Sequence, residues 1–286
     1  MFSKTEIKKL LEEKDLKVLK RLGQNFLIDE KVLNEIIRAS ELNKDDFILE
    51  IGPGLGTLTD ELVKKCGTVV AIEKDKKMAE LIFKEAELPI GSSASRAFLK
   101  IINDDILKIN LNKLIEEYSK NKKYKLISNI PYYITSPVIK LFLENSIQPE
   151  LIVLLVQKEV AERICAKPGK LSILALSVQI YGEPEIVSYV DKAAFYPEPK
   201  VDSAILKIKN IKKEFSEEYY KKLFKIIKIG FSSKRKKLAN NLSAGLYLTK
   251  KESEDILQQS NINLNTRAQE LSLEEWDKLV KLTLLK

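Results

Sequence analysis

Short runs of consecutive apolar residues alternate along this chain with stretches whose apolar positions recur every three or four residues. Phe47–Ile51 is one such run and ends at glycines; Thr68–Ile72, Phe98–Ile102, Tyr124–Ser128 and Leu151–Val156 are others. Runs of this length bounded by turn residues predict buried strands. Between them, Val32, Leu33, Ile36 and Ile37 share one helix face, as do Met78, Leu81 and Ile82, and Lys158–Ala166 reads as a further helix. Strands alternating with helices predict βαβ units, hence an α/β fold with a mostly parallel sheet and helices on both sides. Val201–Ile208 alternates like a strand and is expected at the edge of the same sheet. Beyond Asn210 the pattern is helical. Leu223, Ile226, Ile227 and Ile229 share a helix ending at Gly230, and Thr249–Glu252 and Ser272–Glu275 carry the hydroxyl-to-carboxylate spacing of a capping box. The expected division is an α/β domain over 1–208, opened by a charged N-terminal extension at 1–20, and a small helical domain over 209–286. Gly91–Ser95 is small and polar and reads as a loop.

Composition narrows the chemistry. Of 286 residues, 44% are hydrophobic and 31% charged, which suits a globular chain and not a disordered one. The longest apolar stretches, Leu151–Val156 and a mixed one around Leu171–Ile180, fall far short of the ~20 residues that span a bilayer. The first twenty residues are charged throughout and lack an apolar core segment, so neither a membrane span nor a secretory signal is expected. There is no histidine, which excludes Ser-His-Asp hydrolysis, His-Cys catalysis and every imidazole base. Two distant cysteines, Cys66 and Cys165, build neither a four-ligand metal site nor a disulfide framework; no metal is expected, and a reducing cytoplasm is the natural compartment. The net charge is +8, yet residues 207–251 hold 14 Lys and Arg against 3 Asp and Glu. That segment suggests a polyanionic partner such as nucleic acid. A solvated, lysine-rich helical surface would give the same count.

Three motifs carry the chemistry. The first strand runs into Gly52-Pro53-Gly54-Leu55-Gly56, and a helix through Leu58, Leu62 and Val63 follows. Glycines there let the backbone turn sharply and let a ligand approach it. Glu73 ends the next strand, 21 residues after Gly52, where doubly wound folds place the acid that accepts two ribose hydroxyls. A tight strand–helix turn also uses glycines, but with Glu73 the pair points to a nucleoside. Thr57 stands where a dinucleotide loop has its third glycine. The second motif, Asn129-Ile130-Pro131-Tyr132, closes a strand at the carboxyl edge of the sheet. The Asn129 side-chain oxygen and the Ile130 carbonyl can accept the two hydrogens of an exocyclic base amine and aim its lone pair, while Tyr132 offers a face for stacking. A proline-terminated strand end with a core tyrosine is the plainer alternative. The third is Lys234-Arg235-Lys236-Lys237 at a helix start, where the helix dipole disfavours positive charge, so external phosphate explains the cluster better.

Together these motifs resemble the ribosomal RNA adenine dimethyltransferase family, and in particular its small-subunit branch, from about Arg21 onward. The resemblance implies a Rossmann-like class I S-adenosylmethionine-dependent methyltransferase domain with a small all-helical C-terminal domain. It implies S-adenosylmethionine as cofactor and two adjacent adenines near the 3′ end of small-subunit rRNA as substrate. Within Arg21–Leu27, Asn25 and Leu27 would contact the cofactor; Gly52, Gly54 and Glu73 would hold it, with Asn129 alongside. Asn103–Ile106 resembles the motif whose acid reads the cofactor adenine, assigned by register to Asp105 with Asp104 as rival. Asn129, Ile130, Pro131 and Tyr132 would form the catalytic motif. Phe195–Ser203 resembles the family's F-x-P-x-P-x-V-x-S segment, whose Phe195 would stack on the target adenine from a rigid loop at the pocket rim. Gly230–Leu242 resembles the C-terminal rRNA-contacting motif, and Arg267–Ser272 also fits. The chain departs from the pattern after Lys167-Pro168-Gly169, where the loop looks shortened, and Gly91–Ser95 reads as a local insertion. A cytoplasmic monomer is expected. The alternatives are the large-subunit methyltransferase of the macrolide-resistance type, a non-catalytic RNA-binding factor on the same fold, and a nicotinamide oxidoreductase. Phe195–Ser203 and Gly230–Leu242 weigh against the first, the intact Asn129 and Glu73 motifs against the second, and Asn129 with the missing third glycine against the last.

Overall fold

The computed structural model describes residues 1–16, 18–19, 22–86 and 98–283; Arg21 and the expected loop and insertion at Gly91–Ser95 lie outside them. The chain divides into two compact units, Met1–Ala161 with Glu183–Ile211, and Glu162–Gly182 with Lys212–Lys286. The division near residue 211 lies close to the boundary expected after 208. The apolar pattern gives no sign that 162–182 belongs to the second unit.

The first unit is built on nine strands: β1 (Phe26–Leu27), β2 (Phe47–Ile51), β3 (Thr68–Glu73), β4 (Phe98–Asn103), β5 (Lys125–Asn129), β6 (Leu151–Gln157), β7 (Glu183–Val190), β8 (Phe195–Tyr196) and β9 (Ser203–Lys209). Its helices are α1 (Lys4–Glu13), α2 (Glu30–Ala39), α3 (Thr57–Lys65), α4 (Lys76–Ala86), α5 (Leu111–Tyr118) and α6 (Thr135–Glu144), and α7 (Lys158–Ile164) begins in it. Seven strands form one sheet in the order β4-β3-β2-β5-β6-β9-β7. The first five are parallel. β2 and β6 are buried along nearly their whole length, as strands covered on both faces must be. From β2 the chain moves outward to β3 and β4, then returns to β5 on β2's other side. The carboxyl ends of β2 and β5 therefore flank the switch point where α/β sheets open a crevice.

The strand expected at Val201–Ile208 is β9, and it is not at the edge. It lies between β6 and β7, antiparallel to both. β4 forms the far edge of the sheet, and the edge strand at this end is β7, which the pattern does not reveal. Its sequence opens Glu-Pro-Glu, its burial is mixed, and a register shift falls between Ile186 and Ser188. Proline and irregular pairing are tolerated where one side of a strand has no partner.

The N-terminal segment is not a loose extension. Ser3 and Glu6 close a capping box on α1, and Ile7, Leu11 and Leu16 pack with Phe26, Leu55, Met78 and Leu81. Leu55 belongs to the glycine loop, so this small cluster braces the loop.

The second unit contains α8 (Ile173–Gln179), α9 (Glu217–Gly230), α10 (Leu238–Leu246), α11 (Lys250–Gln259) and α12 (Leu273–Thr283). Both expected capping boxes form, Thr249 with Glu252 and Ser272 with Glu275. Leu171, Ala175 and Leu176 share a core with Leu223, Ile227, Leu242, Leu257 and Trp276. The short loop after Lys167 is tied down by Gly169 and Leu171, whose N–H groups both donate to the Gln269 carbonyl at 2.9 and 3.3 Å. Among the described residues, no helix is long and apolar enough to cross a membrane.

Candidate active site

A cleft with about 1100 Å³ of open space lies at the carboxyl ends of β2, β3 and β5, lined by the glycine loop, Glu73, Asp105, Asn25 and Asn129–Tyr132. Sequence-predicted residues from five separate stretches thus meet in one place.

The floor is backbone. Gly52 and Gly54 have φ of +65° and +60°, the left-handed region that side chains disfavour. A Cβ on Gly54 would also sit 3.3 Å from the Phe26 ring. Glu73 ends β3 beside the loop. Its carboxylate accepts the Asp75 N–H at 2.7 Å and the Gly54 N–H at 3.4 Å. Burial pushes its pKa up to about 7 despite those bonds. The arrangement can accept the paired hydroxyls of a ribose when ionised.

Asn129 ends β5. Its Nδ2 donates to the Asn25 carbonyl at 3.1 Å, while Asn25's own Nδ2 turns back to the Gly23 carbonyl at 3.1 Å. With its nitrogen engaged, Asn129 has its oxygen to offer as an acceptor. Ile130 is buried and lines the cleft beside Asn129. Pro131 holds an extended ψ of 132°, and the chain then coils through Tyr132–Ile134. Tyr132 is half-buried and shares a 2.6 Å hydrogen bond between its hydroxyl and Ser203 Oγ, which links the motif to the start of β9. Burial raises the Tyr132 pKa.

Asp104 and Asp105 both line the cleft. Asp105 is paired with Lys74 at 2.8 Å and accepts the Leu107 N–H, and the Lys74 hydrogen bond holds its carboxyl below the usual range. Asp104 is exposed, and its Oδ1 accepts the Asp105 N–H. Leu27 lines the cleft and is itself buried.

Phe195 is not at the pocket rim, where the resemblance puts it. It is fully buried and outside the cleft lining. The cause is the β1–β8 pairing, Phe26 opposite Tyr196 and Leu27 opposite Phe195. Residues directly opposite share a face. Leu27 and Phe195 enter the main core with Val32, Ile127 and Ile205; Phe26 and Tyr196 join the cluster under α1. The open aromatic at the cleft is Tyr133, 53% exposed, a residue that sequence reasoning misses. Its only signal is its place after Tyr132.

Glu50 precedes the glycine loop by two residues. It is buried at the cleft lining, accepts the Thr59 hydroxyl at 2.7 Å, and is pushed by burial to a pKa of about 8. Burial favours its neutral form. In the second unit, Lys234, Arg235, Lys236 and Lys237 are all exposed in the turn between α9 and α10. Asn241 shapes that turn by donating to the Gly230 and Ser233 carbonyls, and Lys237 Nζ reaches Asn265 at 2.6 Å.

A family model described as ribosomal RNA adenine dimethylase matches residues 16–283. The ribosomal RNA small subunit methyltransferase A of Dehalococcoides mccartyi is 41% identical over 278 residues, covering 96% of this chain and 91% of that protein. A crystal structure of a dimethyladenosine transferase from Plasmodium falciparum is similar with a TM-score of 0.73 and 26% identity, covering 89% of this chain and 95% of that one. The 23S rRNA methyltransferase ErmE is similar with a TM-score of 0.70 and 25% identity, over 90% of this chain and 99% of that one.

Proposed function

The chain belongs to the ribosomal RNA adenine dimethylase family, and on that premise we propose that it methylates N6 of two adjacent adenines near the 3′ end of small-subunit rRNA, with S-adenosylmethionine as donor. It is a methyltransferase of small-subunit ribosomal RNA. The observation that carries the finer reading is the hydrogen bond from Asn129 to the Asn25 carbonyl, which leaves an amide oxygen to offer in the cleft that Glu73 and the glycine loop also line.

The residues present suit the donor. Glu73 can take the ribose hydroxyls, the left-handed glycines admit a ligand close to the backbone, and Asp105 or Asp104 can read the adenine amine. S-adenosylmethionine supplies a methyl group already activated on a sulfonium, so no general base is required, which suits a chain without histidine. The adenine N6 lone pair is delocalised into the ring. By accepting both N6 hydrogens, Asn129 Oδ1 and the Ile130 carbonyl draw that nitrogen toward tetrahedral geometry. Tyr132, steadied by Ser203, gives the base a face, and Tyr133 stands at the open side. Phe195 supports the motif from behind by anchoring β8 to β1. Lys234–Lys237 bind rRNA phosphates.

The test is methyl transfer from labelled S-adenosylmethionine to small and large ribosomal subunits lacking these modifications, with the nucleosides read by mass spectrometry. Dimethyladenosine confined to small-subunit RNA is the expected outcome. Label in large-subunit RNA would instead support the resistance-type reading. Cofactor binding without label in either would point to a non-catalytic factor.

A further inference from the structure

Tyr247 is 97% exposed, whereas the next most exposed large hydrophobic residue among those described, Tyr189, is 57% exposed. It caps the C-terminal end of α10 with φ 58° and ψ 35°, its N–H donating to the Ser243 carbonyl. The other non-glycine residues with positive φ are Asp15, Glu41, Lys122, Asn210 and Asn261, all polar. A bulky residue is an outlier in that conformation, where glycine or asparagine fits with less strain. Its neighbours Leu246 and Leu248 turn inward to the core of the second unit, and Ser243 Oγ fixes the turn on the Leu248 carbonyl at 2.7 Å. The ring is thereby held outward, burying almost nothing. Folding gains no burial from a tyrosine here.

The surroundings indicate what it meets. Residues 219–251 contain ten Lys and Arg and no Asp or Glu. Tyr247 ends the nine-residue helix that Lys237 begins, placing the two about 15 Å apart along its axis. Acids resume only in α11. There Glu252 is engaged in the Thr249 capping box and Glu254 pairs with Lys250 at 3.7 Å. An aromatic ring projecting from a cationic surface is the recognition chemistry of unpaired nucleic-acid bases, which stack on it while their phosphates meet the cations.

We propose that Tyr247 is a base-stacking residue, receiving one unpaired base of the small-subunit rRNA beside the phosphate contacts of Lys234–Lys237. This rests on small-subunit rRNA being the substrate.

The experiment compares the full chain with Tyr247→Ala, Tyr247→Asn and Tyr247→Phe, measuring affinity for unmethylated small subunits over a salt series together with thermal unfolding. Tyr247→Phe is expected to bind within twofold of the parent. Tyr247→Ala and Tyr247→Asn are expected to bind about tenfold more weakly, with the salt slope unchanged because no charge is removed. Unfolding midpoints should hold, and that of Tyr247→Asn should hold or rise. Parent-like binding by Tyr247→Ala overturns the proposal alone, and failure of the parent to bind small subunits overturns the substrate reading with it. Equal weakening in Tyr247→Phe would assign the contact to the hydroxyl and overturn stacking. Weakened binding accompanied by a lowered midpoint in Tyr247→Ala would assign a structural role instead.

Discussion

With its nitrogen engaged by the Asn25 carbonyl, Asn129 has one acceptor to give a substrate amine. Asn129→Ala removes it, and single-turnover methyl transfer should fall by at least about 100-fold, while cofactor affinity by calorimetry changes far less. Asn129→Asp keeps an acceptor but sets a carboxylate oxygen against the Asn25 carbonyl, so it should fall between the two. Parent-like turnover in Asn129→Ala would refute the assigned role. The two buried acids are read by different measurements as pH changes, ligand affinity for Glu73 and stability for Glu50. Glu73 must be ionised to accept two hydroxyls, so cofactor affinity should rise with pH to about 7 and then level; Glu73→Gln should bind weakly with no such rise. Glu50 has its folded pKa near 8 against an ordinary 4.5. Between those values the folded protein keeps a proton that the unfolded chain has released. Stability of the ligand-free protein should therefore fall as pH rises through that window, by at most about 1.4 kcal/mol per pH unit for this group. Urea unfolding of Glu50→Gln at pH 6 and pH 8 should show a shallower decline.

At the scale of elements, Gly230 shows how tightly α9 and α12 are joined. A Cβ there would lie 2.5 Å from Trp276 Cη2 and 3.1 Å from Leu238 Cδ1. Gly230→Ala should cost about 1–3 kcal/mol through overpacking, read by denaturation followed through the fluorescence of the single tryptophan. The apolar pattern shows this helix and the parallel strands because their apolar residues fall at helical spacing or in unbroken runs. It does not show β7, which opens Glu-Pro-Glu, is buried unevenly and shifts register between Ile186 and Ser188. It does not show that β1 and β8, two residues each, pair and turn Phe195 inward. A pairing that brief has no period to read. The cleft is legible at the glycine loop, Glu73 and Asn129 because each follows a recognisable strand. The burial of Glu50 and the exposure of Tyr133 are not, since both depend on neighbours distant in sequence.

For the whole molecule, the charge asymmetry has a measurable form. If Lys234–Lys237 meet phosphates, replacing all four with glutamine should weaken subunit binding and reduce the slope of log affinity against log salt by up to about 0.9 for each phosphate no longer neutralised. An unchanged slope would move the RNA interface elsewhere. The second unit carries a different consequence. Leu171, Ala175 and Leu176 belong to its core, yet the chain runs through β7 to β9 before α9 begins, and α12 ends only at Thr283. During synthesis at roughly 5–20 residues per second, α8 would leave the ribosome on the order of 5–20 s before its last partner. For that interval the nascent chain of this rRNA methyltransferase would show a greasy helix face to its surroundings. Slowing elongation after residue 182 should lengthen chaperone engagement of the nascent chain, and polar substitution at Leu176 should shorten that engagement while weakening the finished fold.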